Sequence, residues 1–403
     1  MKLKVAVIYG SRTCEHDVSI ISAMQAASNL NKDEYDIVYV YIDRKGDWYS
    51  GWRLGDISVY RSFDPSVATR VIPMGENGKL VLMQHPADKL LPVGHLRRVA
   101  EADVALTVMH GMNGEDGALQ GMLEMWQVPY TSSGILGSAL GMDKIAMKQV
   151  FRANGLPVAD DVWVDRNSWK NAREDTLDRI EKALGYPVYV KPANLGSSIG
   201  ISRAEDRAQL ADAMDVAAAY DRRILIEKGV EDLMEINCAV LGFDGKAEAS
   251  LTEMPVKWTE FLSFEDKYLR GGKSSKGAPS KGAGSKGGMA SLKRNIPAPI
   301  GEEKISKVEE MAVAAFNALD CKGVARVDFL YDQANDVIYV GEINTIPGSL
   351  SYYLWEQKGI SFSKLLDRLI EYAFQAAAER NANVFSYTSP ILNGASGAKG
   401  GKR

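Results

Sequence analysis

The sequence predicts an α/β protein of three units, and three observations carry that expectation. Strand and helix signals alternate along the first 130 or so residues, the chain changes character around Tyr130-Thr-Ser-Ser-Gly134 and again near Glu231, and a strand-turn-strand unit spans Arg326-Val-Asp328 and Glu342-Ile-Asn344. Length agrees, since 403 residues make two or three domains at about 150 residues each. The units are expected at residues 1–132, 133–230 and 231–380, with a tail at 381–403.

In the first unit, apolar runs predict strands from Val5 to Tyr9, Ile37 to Ile42 and Val104 to Val108, with helices from about Val18 to Leu30 and Ala118 to Trp126. That rhythm indicates a parallel sheet. The second unit carries a helix from Asp143 to Asn154 and strands Val188 to Lys191 and Ile224 to Glu227, with a Gly/Ser loop between them. In the third, Val308, Met311, Ala312, Ala315, Phe316 and Leu319 repeat at helical spacing, as do Phe362, Leu365, Leu366, Leu369, Ile370 and Ala373. Residues 271–288 consist only of Gly, Lys, Ser, Ala and a Pro, so a mobile loop is expected over 267–294. Its flank, Lys267-Tyr268, could close over bound phosphates.

A net charge of −4 gives no basic excess for nucleic acid, and no apolar run reaches a membrane-spanning length. The N-terminal apolar run ends at Gly10-Ser-Arg and reads as a first buried strand, not a signal peptide. Cys14, Cys238 and Cys321 are odd in number and widely spaced, which suggests free thiols in a reducing cytoplasm.

The chemistry concentrates in the hairpin. Side chains repeat every second residue in a strand, so Arg326 and Asp328 share one face, and Glu342 and Asn344 share one face of the partner. Three are hard oxygen donors suited to Mg2+ against phosphates, and the fourth is a permanent cation suited to an oxyanion. A hairpin with a solvated polar face fits the same residues. Lys191 followed by Gly196-Ser197-Ser198 can cradle phosphate oxygens, although the P-loop order is absent and an ordinary turn fits too. Glu227 to Val230 and Glu235 follow a strand where the chain could cross between units and meet adenine and ribose, and a strand end with solvated charges fits equally. Asp143 reads equally as a helix cap beside Lys144. His110, in a Gly-rich turn, and Glu15 both follow strand ends, where open α/β sheets put ligands, although a structural histidine and an acidic residue favouring the next helix N-terminus fit as well. The dinucleotide glycine fingerprint is missing, which disfavours an NAD-dependent oxidoreductase.

Taken in order, Glu15-His-Asp-Val-Ser, His110-Gly-Met-Asn-Gly-Glu-Asp-Gly, Lys191-Pro with Gly-Ser-Ser-Ile-Gly, Arg326-Val-Asp328 and Glu342-Ile-Asn344-Thr-Ile-Pro-Gly resemble the D-alanine–D-alanine ligase family, over about residues 3 to 375. The resemblance implies an ATP-grasp fold of three α/β domains, the first Rossmann-like (preATP-grasp). It implies ligation of two D-alanine molecules through an acylphosphate for peptidoglycan precursor synthesis, by a cytoplasmic homodimer using ATP and two Mg2+ ions, with Mn2+ as a substitute. Position by position, it implies ATP contacts at Lys144, Lys191, Ser197, Ser198, Glu227, Lys228, Val230, Glu235, Lys267 and Asn344. Asp328, Glu342 and Asn344 would hold the metals. Glu15 would take the first substrate's ammonium near His110, in a network with Ser197 and Tyr268, and Arg326 would stabilise the oxyanion. Gly348, Tyr353 and Leu354 would meet the second substrate.

Two departures stand out. Family members usually place a small hydroxyl near Tyr353, where this chain reads Ser349-Leu-Ser-Tyr-Tyr353-Leu-Trp, and the loop after Tyr268 is longer than usual. Tyr268 matches the dipeptide-forming members, whereas relatives that use D-lactate usually have a His there. The other readings are a ligase joining D-alanine to D-serine or D-lactate, and a non-catalytic ATP-binding module. The second predicts loss of a metal ligand or of the oxyanion cation, yet all four hairpin residues are present.

Overall fold

The computed structural model describes residues 2–86, 97–255, 294–384 and 386. Lys267, Tyr268 and the Gly/Lys-rich stretch lie outside the described residues. Among the described residues the strands form three sheets.

The first sheet holds β1 (Leu3–Gly10), β2 (Tyr35–Ile42), β3 (Trp48–Ser50), β4 (Thr69–Glu76), β5 (Lys79–Gln84), β6 (Arg98–Ala102) and β7 (Val104–Thr107), in the order β6-β5-β4-β3-β2-β1-β7. Only β2, β1 and β7 run parallel. The expected parallel sheet is therefore corrected, because β3 to β6 extend it as an antiparallel meander. The physical reason is a tight turn: Asn77 and Gly78 both take positive φ, 53° and 74°, the two-residue geometry that joins antiparallel strands without splaying them.

The second sheet, β8 (Asp161–Asp165), β9 (Val188–Pro192), β10 (Ser202–Ala204) and β11 (Arg223–Lys228), is antiparallel throughout, in the order β10-β9-β11-β8. Val188, Val190, Ile224 and Ile226 pack with Ile180, Leu210 and Met214 of helices Arg173–Leu184 and Arg207–Tyr220. Alternation then turns Tyr189, Lys191, Leu225 and Glu227 to the opposite face.

The third sheet, β12 (Leu233–Phe243), β13 (Lys246–Pro255), β14 (Arg294–Asn295), β15 (Gly323–Asp332) and β16 (Val337–Asn344), has the order β14-β13-β12-β15-β16. The expected turn joins β15 to β16, with the Asn335 N–H donating to Asp332 Oδ1 at 3.0 Å. Helix Glu302–Ala318 covers one face through Val308, Met311, Ala312, Ala315 and Phe316, against Ile236, Val240, Val327 and Val340.

Helix Phe362–Asn381 joins the units. Its Leu365, Leu366, Leu369 and Ile370 share one core with Val5, Val7, Val104 and Leu106 of the first sheet and with Ala239, Leu241 and Val324 of the third. Each buried leucine or isoleucine stabilises the fold by about 1.5–3 kcal/mol.

Candidate active site

Register sets out the polar face of the third sheet. Glu253, Asn237, Asp328 and Glu342 are successive cross-strand partners on β13, β12, β15 and β16. Ala239, Arg326 and Asn344 form the next level. The Arg326 guanidinium grips Asp328 with two hydrogen bonds, Nε to Oδ1 at 2.6 Å and Nη2 to Oδ2 at 2.7 Å, and Asn344 Nδ2 donates to Asp328 Oδ2 at 3.1 Å. The four residues singled out in the hairpin therefore do converge on one face.

Opposite them stands the cleft face of the second sheet. Between the two is a cleft, lined by Lys144, Tyr189, Lys191, Ser198, Leu225, Glu227, Lys228 and Val230 on one side and Glu235, Asn237, Arg326, Asp328, Leu330 and Glu342 on the other. A smaller space shares Lys144 and Glu342 with it and adds Glu15, Glu115, Gly196 and Asn344. Lys144 follows the cap made by Asp143, whose Oδ1 accepts from the Ile145 and Ala146 N–H groups at 3.1 and 3.0 Å. Asp143 is thus a helix cap, and the Lys144 ammonium lies 3.3 Å from Glu342 Oε2.

Glu227 behaves differently from expectation. Its carboxylate is only 4% exposed and is taken up by Lys148 and Lys191, with Asp161 a further partner of Lys148 at 3.2 Å. A purine arriving here would meet the backbone of this strand end, while the Glu227 side chain fixes Lys191. The Lys228 ammonium likewise donates to Leu184 O at 2.6 Å, at the carbonyl end of helix Arg173–Leu184, where a cation is favoured.

Glu15 precedes helix His16–Asn29, accepts a hydrogen bond from the Ser197 hydroxyl and is packed against two glycines. A Cβ on Gly196 would come within 2.6 Å of Glu15 Oε2, and one on Gly111, whose φ is +73°, within 2.6 Å of the same atom. Neither position admits a side chain while Glu15 keeps its place. Ser197 and Ser198 both sit in the left-handed region, at φ 53° and 59°, which bends the loop toward Glu15. Glu115 is buried beside it, accepting from the Gly111 and Ile346 N–H groups at 2.8 and 2.9 Å. Burial first, and the Glu15 charge second, push the Glu115 carboxyl up to about 8.

His110 is buried with both ring nitrogens engaged: Nδ1 lies 2.8 Å from Ile346 O and Nε2 2.9 Å from Ser22 Oγ. A carbonyl can only accept, so Nδ1 carries the proton and Nε2 accepts from Ser22, whose oxygen also receives the Ser349 N–H at 3.0 Å. Burial drives this imidazole down to about 4, so the folded state resists protonation that the unfolded chain accepts below its ordinary 6.5. Stability should therefore fall as pH drops from 6.5 toward 4, by about 2 kcal/mol at pH 5 from this group. Urea midpoints of wild type and His110→Gln at pH 7 and pH 5 check this; equal pH slopes in both proteins would refute it.

Beyond Asn344 the chain makes an uncommon turn. Ser349, Leu350 and Ser351 have φ of 54°, 52° and 50°, three consecutive left-handed residues without glycine. Each costs roughly 1 kcal/mol and is held by burial, Leu350 being 2% exposed. This turn follows Gly348 and delivers Tyr353, whose hydroxyl donates to Glu253 Oε1 at 3.2 Å. The Leu354 side chain is wholly buried in the shared core, so its direct role with a second substrate is corrected to backbone contact at most.

Asn237, Glu253, Arg294, Glu115 and Lys148 were not singled out by their sequence. Glu115 lay inside the quoted His110 motif, and Lys148 is one helical turn from Lys144; register and tertiary packing bring in the others.

Lysine ammoniums, an apolar slot and an oxygen-donor face thus meet between the two sheets. Residues 4–133 match the family described as D-ala D-ala ligase N-terminus, and residues 150–371 the one described as D-ala D-ala ligase C-terminus. The D-alanine--D-alanine ligase of Thermoanaerobacter sp. (strain X514) is 39% identical over 389 residues, 94% of this chain and 98% of that protein. Among solved structures, the D-alanine-D-alanine ligase of Coxiella burnetii superposes with TM-score 0.75 at 28% identity, covering 94% of this chain and 96% of that one. The VanG D-Ala:D-Ser ligase of Enterococcus faecalis gives TM-score 0.73 at 27% identity, covering 93% and 100%. The chain belongs to the D-alanine–D-alanine ligase family.

Proposed function

We propose that this chain joins two molecules of D-alanine at the expense of ATP, supplying D-alanyl-D-alanine for peptidoglycan precursors. The observation that carries the reading is the convergence of Arg326, Asp328, Glu342 and Asn344 beside the Glu15 pocket. Adenine occupies the slot between Leu225 and Leu330, with Val230 and Glu235 at its edge, and Lys144 and Lys191 neutralise phosphate charge. Asp328 and Glu342, directly opposed on adjacent strands, with the Asn344 oxygen at the next level, form a donor set that fits two Mg2+ ions or Mn2+. Bound there, such ions draw charge from the transferring phosphoryl group.

Glu15, steadied by Ser197, holds the first D-alanine by its ammonium, with the substrate carboxylate toward the γ-phosphate. A bond forms between a carboxylate oxygen and the γ-phosphorus as the β–γ bridge breaks and ADP leaves. The second substrate's amine then attacks the acyl carbon, the oxyanion develops against Arg326, and inorganic phosphate departs with the N–H proton the amine gives up as the carbonyl reforms. Water must stay out, or the acylphosphate hydrolyses. The enzyme works as a homodimer in the cytoplasm; among the described residues no helix is long and apolar enough to cross a membrane.

Phosphate release from ATP, measured in parallel with D-alanine, L-alanine, D-serine and D-lactate and followed by chromatography of the products, tests the reading. Release with D-alanine alone and a D-alanyl-D-alanine product are expected. Product only when D-serine or D-lactate is added would reassign the second substrate, and no D-alanine-dependent release would remove the enzyme assignment.

A further inference from the structure

The wall of the cleft beyond Arg326 holds a built cluster that the reaction as described leaves without a task. Arg294, the first residue of β14, stands opposite Pro255 on β13, and its Nη1 donates to Glu253 Oε2 at 2.8 Å with the two side chains 10% and 2% exposed. Its guanidinium carbon lies 3.8 Å from the centroid of the Tyr353 ring, a stacking geometry that favours arginine over lysine. Glu253 Oε1 takes the Tyr353 hydroxyl at 3.2 Å and Asn237 Nδ2 at 3.1 Å, so Arg294 rests on a fixed carboxylate and a fixed ring. Arg294 and Arg326 line the same cleft, and Tyr353 is within electrostatic reach of both.

In an α-amino acid the amine and the carboxylate hang from one carbon. A second substrate whose amine attacks beside Arg326 must therefore set its carboxylate down within a few ångströms of that point. Tyr353, where a small hydroxyl would otherwise stand, has its hydroxyl committed to Glu253. We propose that Arg294 receives the carboxylate of the second substrate, with Glu253 and Tyr353 as the positioning residues that orient its guanidinium. This rests on the ligase reading above and assigns the acceptor half of that site. A planar fork can keep Glu253 on one edge and take a carboxylate on another, so an anionic acceptor is favoured over a neutral one.

D-alaninamide isolates the acceptor position, since it has no carboxylate to phosphorylate and cannot serve as first substrate. With D-alanine as donor, wild type should use D-alaninamide as acceptor roughly tenfold to a hundredfold less efficiently than D-alanine, the range of a charged hydrogen bond. Arg294→Ala should raise KM for the second D-alanine by a similar factor, leave KM for ATP and for the first D-alanine within about twofold, and bring the acid-to-amide ratio near unity. Arg294→Lys, which keeps the charge and loses the fork, should recover part of the preference. A wild type that takes the amide as readily as the acid overturns the proposal without any variant. So does an Arg294→Ala enzyme that keeps the ratio, or one whose three KM values rise together, which is the mark of a purely structural arginine. A wild type that forms no dipeptide from D-alanine would instead defeat the ligase reading itself.

Discussion

Arg326→Ala is expected to lower kcat for dipeptide formation by about a hundredfold to a thousandfold, the scale for losing a preorganised oxyanion partner. The side chain is 11% exposed and lies on the cleft face one level from Glu342, so its charge acts where water is scarce. Lysine should not restore the rate. The two hydrogen bonds to Asp328 use the guanidinium fork, and a single ammonium cannot hold Asp328 and also face a developing oxyanion. Loss of Arg326 also removes two hydrogen bonds to Asp328, so the urea midpoint should be measured alongside kcat. A midpoint that moves while kcat per folded molecule stays near wild type would assign Arg326 to the fold and not to the reaction.

The second large effect is on stability. Glu227→Gln should cost about 3 kcal/mol, the low end for breaking a buried ion pair, because Lys148 keeps Asp161 at 3.2 Å while Lys191 loses its carboxylate. Burial pushes the Glu227 carboxyl up, but the Lys191 and Lys148 ammoniums more than reverse this and bring it down to about 2, from an ordinary 4.5. A folded-state value below the unfolded one means the stabilisation is complete above pH 4.5 and is lost as pH falls toward 2. By linkage it amounts to about 3 kcal/mol, matching the substitution estimate. Urea titrations from pH 7 to pH 3 should show wild type and Glu227→Gln converging at low pH; a constant difference across that window would mean the carboxylate is not the group that titrates.

How much of this was legible in the sequence depended on the range of each interaction. The hairpin could be read because strand alternation is local: Arg326, Asp328, Glu342 and Asn344 share a face by parity alone. The strand ends carrying Glu15, His110 and Lys191 were found the same way. The antiparallel meander of the first sheet was missed although Asn77-Gly78 announced a hairpin, because short strands near residues 48 and 98 give too little periodicity to stand out. Glu227 could be placed at a strand end, but its pairing with Lys148 spans 79 positions and follows from packing, not pattern. Arg294 belongs to the same class, since it meets Glu253 across 41 positions.

The helix Phe362–Asn381 has a consequence for how the molecule is made. Leu365 and Ile370 complete a core that begins with Val5 and Val7, so the earliest and latest segments of the chain finish one another. Synthesis proceeds from the N-terminus, and the first sheet therefore emerges with an apolar face that is only partly covered until residues 362–381 have left the ribosome. During that interval β1, β7 and helix His16–Asn29 lack the leucines of helix Phe362–Asn381, and the nascent chain is at its most prone to aggregate. A stop codon before residue 362 would thus injure the amino-terminal half as surely as the carboxyl-terminal one.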